Sequence, residues 1–177
     1  LLVELGAHAL PIEQVVGMIG DGAPVLVRRA LAASGLSPDT PDALDRFLEL
    51  YDDRLTAHTV PYDGMRGTLD ELRNSYALAV LTNKPARATG IILEQLELAK
   101  YFGLVVGGDS PFGRKPDPAG LLQLVRACGA TPGVTVLVGD SPIDLETARR
   151  AQTRVCLARY GFGFRFKETD FLGGELF

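Results

Sequence analysis

The sequence has few cysteines, no tryptophan, no excess of basic residues and no long apolar run. Its two cysteines, Cys128 and Cys156, are too few and too far apart for a disulfide framework or a Cys-x-x-Cys metal site. Eighteen Lys and Arg stand against twenty-two Asp and Glu, so the protein has no strong positive field to attract nucleic acid. No apolar run approaches the ~18 residues of a membrane span, and no basic-then-apolar signal peptide opens the chain. These absences predict a cytoplasmic protein with neither a nucleic-acid partner nor a membrane partner; they do not address its oligomeric state.

The composition that remains is that of an ordinary globular chain. The sequence has 177 residues, of which 46% are hydrophobic and 23% are charged. This length is that of one full domain, or of a compact core with a modest insertion. The hydrophobic content is enough for a sizeable core and excludes a disordered chain.

The pattern of apolar residues divides the chain at about Tyr62. Before this point the sequence is helical, with Leu44, Phe47, Leu48, Tyr51 and Leu55 on one stripe of an amphipathic helix. Two more helices are predicted over residues 11–19 and 25–33. By itself this pattern favours a small helical bundle without chemistry of its own.

After residue 76 the pattern changes to short, continuous apolar runs, which are typical of parallel strands buried on both faces. The runs cover residues 77–81, 104–106, 134–138 and 155–158, and helical segments are predicted over residues 67–74, 85–96, 118–128 and 142–151. Strands that alternate with helices predict an α/β fold with a doubly wound, Rossmann-like parallel sheet.

Polar residues follow the predicted strands, where open α/β sheets bind their ligands. Thr82 and Asn83 follow the first strand, Asp140 follows the third strand, and Asp144 lies in the next helix; Lys115 lies in a loop between them. Taken singly, Thr82 could cap a helix, Lys115 could be a solvated lysine and Asp144 could stabilise a helix N-terminus. Together, a hydroxyl, a cation and two carboxylates suited to Mg²⁺ are the groups needed to hold a phosphoryl group.

Three segments give the sequence a specific resemblance. The turn Thr82-Asn83-Lys84-Pro85, the loop Gly113-Arg114-Lys115-Pro116-Asp117-Pro118 and the turn Gly139-Asp140-Ser141-xx-Asp144 resemble the second, third and fourth motifs of the haloacid dehalogenase superfamily. Within it, the chain is most similar to phosphoglycolate phosphatases. The resemblance implies a helical cap over residues 1–62 and a phosphatase core over residues 63–177.

The resemblance also implies roles for single residues. Thr82 and Asn83 would bind phosphate, and Lys115 would neutralise the nucleophile and the transferred group, so that Thr82 and Lys115 are catalytic. Asp140 would be the principal Mg²⁺ ligand, with Asp144 in support. The function implied is Mg²⁺-dependent hydrolysis of a small phosphorylated metabolite, phosphoglycolate first, through an aspartyl phosphate.

One departure from the family pattern is that no Asp-x-Asp motif occurs in the 177 residues. The family's nucleophile and general acid/base are the aspartates of that motif, on the central strand of the sheet. We therefore expect the chain to be a fragment of a protein in which an upstream segment supplies that strand and both aspartates. By themselves, these 177 residues should either pair the strand after residue 76 with the strand before Asp140 or borrow a strand from a neighbour, and as a monomer they should be unstable and inactive. The alternative is a non-catalytic phosphate-binding or regulatory protein that has lost the nucleophile.

The predicted cap offers one candidate for substrate selection. Caps of this family present a loop to the active site, and Gly22, in the turn Gly20-Asp21-Gly22, could act there with Arg28 or Arg29 to bind a substrate carboxylate. The simpler interpretation is a turn that starts a helix. His8 and His58 are isolated and do not predict a metal site.

Overall fold

The computed structural model describes residues 1–171. Its helices are α1 (Ile12–Val16), α2 (Ala23–Ala33), α3 (Ala43–Asp52), α4 (Met65–Leu72), α5 (Ala86–Gln95), α6 (Ala119–Ala127) and α7 (Pro142–Ala151). Its strands are β1 (Ala79–Leu81), β2 (Leu104–Val106), β3 (Val136–Gly139) and β4 (Arg154–Leu157). None of the helices in this part of the chain is long and apolar enough to cross a membrane.

The helices before residue 62 pack through the apolar face that the sequence predicts. Val27 and Leu31 of α2 and Ala43 of α3 form a buried cluster, and Leu44 and Phe47 pack against it. Helix α3 ends at Asp52, so the prediction that one helical stripe reaches Leu55 is wrong. Leu55 is nevertheless buried, although it lies in the turns that follow the helix.

The strands form two parallel pairs, as the α/β pattern predicts. β1 pairs with β2, with Ala79 opposite Leu104, and β3 pairs with β4, with Val136 opposite Arg154. Strand β3 begins at Val136 rather than at residue 134, because residues 132–134 form a 3₁₀ turn.

Strands β1 and β3 do not pair with each other within residues 1–171. Of the two alternatives expected for these strands, pairing with each other is therefore not observed, and pairing with a strand from a neighbour stays a prediction. Each of them instead pairs with the next strand in sequence, through a crossover that contains α5 or α7. A helical crossover of this length is the usual connection between neighbouring parallel strands.

The strands are not buried on both faces, which corrects another expectation. In β3, Leu137 is 8% exposed, whereas Val136 and Val138 are 44% and 67% exposed. Leu137 faces a buried cluster formed with α6, α7 and β4, whose members include Leu121, Leu145 and Leu157. A continuous apolar run therefore indicated the strand correctly but overstated its burial, since only the face toward these helices is covered.

Residue contacts divide the described chain into two compact units. The first unit is Leu1–Tyr76 with Lys84–Tyr101, and the second is Ala77–Asn83 with the described residues from Phe102 on. The unit boundaries therefore differ from the predicted division at residue 62, since α4 and α5 group with the helical part. The division into a cap and a phosphatase core remains a prediction.

Candidate active site

A buried ion pair joins two of the predicted site residues. Lys115 Nζ lies 2.6 Å from Asp144 Oδ1, and the two side chains are only 15% and 6% exposed. Lys115 comes from the loop before α6, and Asp144 comes from the first turn of α7. A lysine held in this way is not the solvated surface residue that its position among prolines also allowed.

The start of α7 fixes the carboxylate of Asp144. Ser141 is the N-cap, and its hydroxyl accepts a hydrogen bond from the Asp144 N–H while donating one to Asp144 Oδ2. The backbone N–H groups of Asp140 and Ser141 donate to the same oxygen, at 3.1 and 3.0 Å. This capping box orients Asp144, so that Oδ1 faces Lys115.

These contacts change the acidity of Asp144. Burial raises the pKa of the carboxyl, but the positive charge of Lys115 and the hydrogen bonds from Lys115, Ser141 and the Asp140 N–H lower it further than burial raises it. The net result is that the pKa of Asp144 lies below its ordinary value of 3.8. Asp144 is therefore ionised at neutral pH.

The lowered pKa of Asp144 predicts a specific acid dependence of stability. A depressed pKa in the folded state stabilises the protein above the unfolded pKa, and that stabilisation is lost as the pH falls through the folded value. We expect the difference in melting temperature between the wild type and Asp144→Asn to be largest at pH 7 and to decrease as the pH falls below the ordinary pKa of 3.8. Thermal unfolding followed by circular dichroism from pH 7 to pH 2.5 measures it.

Asp39→Asn is the matched control for this titration, because the Asp39 side chain is 73% exposed and pairs with Arg28 at the surface. Its melting temperature should differ little from that of the wild type at any pH. A difference between wild type and Asp144→Asn that is constant down to pH 2.5 would contradict the assignment of a depressed pKa to Asp144.

The loop after β1 reaches Lys115 through Asn83. The Asn83 side chain exchanges two hydrogen bonds with the Lys115 backbone: Lys115 N–H donates to Oδ1 at 2.7 Å, and Nδ2 donates to the Lys115 carbonyl at 2.9 Å. The N–H of Thr82 donates to the Val106 carbonyl at 3.0 Å and so extends the β1–β2 pairing to Thr82. Thr82, Asn83, Lys115 and Asp144 thus form one connected group, although the predicted binding of phosphate by Thr82 and Asn83 stays a prediction.

The side chain of Lys84 contacts Tyr51 of α3. Its ammonium group donates to the Tyr51 hydroxyl and lies 4.7 Å from the centre of the Tyr51 ring. Within the first unit it therefore joins the segment before α5 to α3.

Asp140 follows β3, and its carboxylate contacts the loop after β4. Its Oδ2 accepts a hydrogen bond from the Gly163 N–H at 2.8 Å, while its Oδ1 receives none from residues 1–171. Mg²⁺ is usually held by one or two carboxylates with water and substrate phosphate, so Asp140 fits as a direct ligand. Both oxygens of Asp144 already accept hydrogen bonds, so its contacts fit the supporting role better than direct ligation. Across the described part of the chain, no cluster of three or more His, Cys, Asp or Glu could hold a metal.

The loop after β4 contributes two residues that the sequence analysis did not single out. A methyl group at Gly161 would overlap the Asp140 side chain, and one at Gly163 would lie 3.0 Å from Asp140 Oδ1. Glycine at these positions lets the loop lie against the carboxylate. The sequence contains a pattern that could have identified these residues: Gly-Phe-Gly follows the end of a predicted strand, where ligand sites form in open α/β sheets.

The residues proposed for substrate selection all lie in the first unit. Arg28 pairs with Asp39 at 2.5 Å. Arg29 pairs with Asp21 at 2.6 Å and donates to the Met18 carbonyl. Gly22 caps α2 with a positive φ of 89°. These contacts give each residue a structural role in the turn before α2 or on its surface, and the binding of a substrate carboxylate stays a prediction.

Comparison with known proteins decides the family. The family model described as haloacid dehalogenase-like hydrolase matches residues 1–158. The chain belongs to the haloacid dehalogenase-like hydrolase family. The motifs that suggested this membership are those that contain Asn83, Lys115 and Asp144, which the structure brings into contact.

Relatives in this family are named as phosphoglycolate phosphatases. The chain is 40% identical over 167 residues to one from Pseudomonas putida and 40% identical over 168 residues to phosphoglycolate phosphatase 1 from Pseudomonas aeruginosa. Each alignment covers 92% of this chain and 61% of the relative. The chain therefore spans about three fifths of the length of these curated relatives.

Solved structures confirm the fold. A crystal structure described as a predicted phosphoglycolate phosphatase from Haemophilus somnus superposes with a TM-score of 0.85 at 29% identity, covering 93% of this chain and 77% of that one. The structure of L-2-haloacid dehalogenase from Xanthobacter autotrophicus matches with a TM-score of 0.60 at 22% identity, a likeness in fold alone. The α/β fold predicted from the alternation of strands and helices is thus that of the haloacid dehalogenase-like hydrolases.

Proposed function

We propose that the full-length protein is a Mg²⁺-dependent phosphatase that hydrolyses a small phosphorylated metabolite, with phosphoglycolate as the first candidate. The observation that carries the proposal is the buried Lys115–Asp144 ion pair at 2.6 Å, in a loop that Asn83 ties to the end of β1. Relatives named as phosphoglycolate phosphatases, 40% identical to this chain, support the choice of substrate.

The chemistry of the proposal depends on where positive charge is held. Phosphoryl transfer brings the negative charges of the phosphoryl oxygens and of the attacking carboxylate close together, so a fixed cation that offsets this repulsion lowers the barrier. Because Asp144 fixes the ammonium group of Lys115 in advance, little reorganisation is needed when the phosphoryl group binds. Thr82, next to Asn83 at the end of β1, is proposed to bind a phosphoryl oxygen through its hydroxyl group, since its N–H already donates to the Val106 carbonyl.

The metal and the nucleophile complete the proposed site. Asp140 would hold Mg²⁺ directly, with Asp144 in support, and the ion would add charge that stabilises the phosphoryl oxygens. Formation of an aspartyl phosphate needs an aspartate carboxylate that attacks in line with phosphorus. Since the 177 residues contain no Asp-x-Asp motif, the proposal requires a nucleophile from outside them, and we expect these residues alone to be inactive.

Phosphate release by the full-length protein tests the function. We expect release from phosphoglycolate in the presence of Mg²⁺, a fall of more than about a hundredfold with a chelator, and recovery when Mg²⁺ is restored. The substrates for comparison are glycerol phosphate and 4-nitrophenyl phosphate. Saturable phosphate binding without release from any of these esters would reject the enzyme and favour the non-catalytic phosphate-binding protein of the same fold.

A further inference from the structure

The backbone of Lys115 lies outside every helix and strand of the structure. Its N–H and C=O groups therefore lack the partners that regular secondary structure supplies, and a buried backbone group without a partner is costly. The Asn83 side chain satisfies both, accepting from the Lys115 N–H at 2.7 Å and donating to the Lys115 carbonyl at 2.9 Å. The two residues are 32 positions apart, so this contact is a tertiary one.

Asn83 is itself held firmly in place. It is 8% exposed, which is low for an amide side chain. Its backbone lies so close to Gly108 that a methyl group there would overlap the Asn83 carbonyl, and only glycine fits without a shift. Arg114, next to Lys115, donates from Nε to the Gly108 carbonyl at 2.9 Å. The loops after β1 and β2 and the loop that carries Lys115 are thus joined around Asn83.

Lys115 is consequently fixed at both ends. Asn83 holds its backbone, and Asp144 holds its ammonium group at 2.6 Å. Asp144 alone leaves the long lysine stem free to take several rotamers, since it constrains only the tip of the side chain. The hydrogen bonds from Asn83 fix the backbone end of Lys115, so that only rotamers spanning from there to Asp144 keep the ion pair.

We propose that Asn83 is a positioning residue that fixes the backbone of Lys115, so that the lysine ammonium group is held against Asp144 and faces the bound phosphoryl group. The orientation of the ammonium group toward a phosphoryl group rests on the proposed function, whereas the positioning of Lys115 does not. This role differs from the direct phosphate binding that the sequence predicts for Asn83, because the hydrogen bonds that define it run to Lys115.

The reactivity of Lys115 toward an acylating reagent tests the positioning without any need for catalysis. Trace labelling of the full-length protein with acetic anhydride, read by mass spectrometry, gives the rate at Lys115 relative to Lys84 and Lys100. We expect Asn83→Ala to raise the relative rate at Lys115 about tenfold, because two hydrogen bonds to its backbone are lost and the ion pair loosens. Asn74→Ala is the matched control: the Asn74 amide donates to the Asp70 carbonyl at an exposed site, and its removal should leave the rate unchanged.

A second variant covers the case in which Asn83→Ala does not fold, as judged by circular dichroism. Asn83→Asp keeps an acceptor for the Lys115 N–H but has no donor for the Lys115 carbonyl, so we expect about a threefold rise. A Lys115 rate equal to that of the wild type in the folded variant, or an equal rise at all the lysines, would overturn the proposal.

Activity separates this inference from the proposed function. If the function is right, Asn83→Ala should also lower kcat for 4-nitrophenyl phosphate, while Asn74→Ala should not. A wild-type protein without phosphatase activity, together with a selective rise at Lys115 in Asn83→Ala, would reject the function and keep the positioning role. Unchanged Lys115 reactivity together with weaker inhibition by inorganic phosphate would instead assign Asn83 to direct phosphate binding.

Discussion

Lys115→Ala is expected to lower phosphatase turnover by about a thousandfold while the protein stays folded. The ammonium group of Lys115 is the cation that the structure holds in place at the ends of the strands, 2.6 Å from Asp144. Removing it takes away charge stabilisation that is needed most in the transition state, so kcat should fall more than KM rises. Phosphate release from 4-nitrophenyl phosphate by the full-length protein measures the loss.

Loss of the counter-charge of Asp144 should lower the free energy of unfolding, but the protein should stay folded at 25 °C because Asp144 keeps other partners. Its Oδ2 still accepts hydrogen bonds from the Ser141 hydroxyl and from the N–H groups of Asp140 and Ser141. Lys100→Ala is the matched control, since Lys100 lies in a 3₁₀ turn and stacks over Tyr101 at 5.1 Å from the ring centre. Near-normal turnover by Lys115→Ala, with the control also active, would remove Lys115 from the catalytic group.

Asp140→Asn and Asp144→Asn are expected to change different properties, the Mg²⁺ requirement in the first variant and the stability in the second. The contacts of Asp140 fit a direct metal ligand, so Asp140→Asn should raise the Mg²⁺ concentration for half-maximal activity by more than about tenfold and change stability little. Asp144 is buried between Lys115 and the N-terminus of α7. Asp144→Asn should therefore destabilise the protein by about 3–5 kcal/mol, because it leaves the buried lysine without its counter-charge.

Two measurements separate these outcomes. Mg²⁺ titration of activity ranks the variants by metal requirement, and thermal unfolding ranks them by stability, with a fall of about 10 °C expected for Asp144→Asn. If instead Asp144→Asn has the larger metal requirement and Asp140→Asn the lower melting temperature, the two roles are reversed. A double variant with Lys115→Met should recover part of the stability lost in Asp144→Asn, since it removes the unpaired charge.

The elements of this protein were largely predictable because their signals are local. Alternating short apolar runs and amphipathic segments predicted the strands and helices of an α/β fold, and residues 1–171 contain four strands paired in parallel. The boundaries were less accurate where a turn competes with a strand or helix. Residues 132–134 form a 3₁₀ turn rather than the start of β3, and α3 ends before Leu55.

The sequence by itself determined which residues we propose for the chemistry. Thr82, Asn83, Lys115, Asp140 and Asp144 were chosen from their types and from their places after strands, and these choices depend only on local order. Only the tertiary structure decided what each residue contacts: that Asn83 holds the Lys115 backbone, that Asp144 pairs with Lys115, and that Val138 is exposed while Leu137 is buried. The physical reason is that the two contacts of Lys115 join residues about 30 positions apart through loops without a repeating pattern, so the partners are set by packing rather than by periodicity. The exposure of Val138 likewise depends on which face of β3 the helices cover.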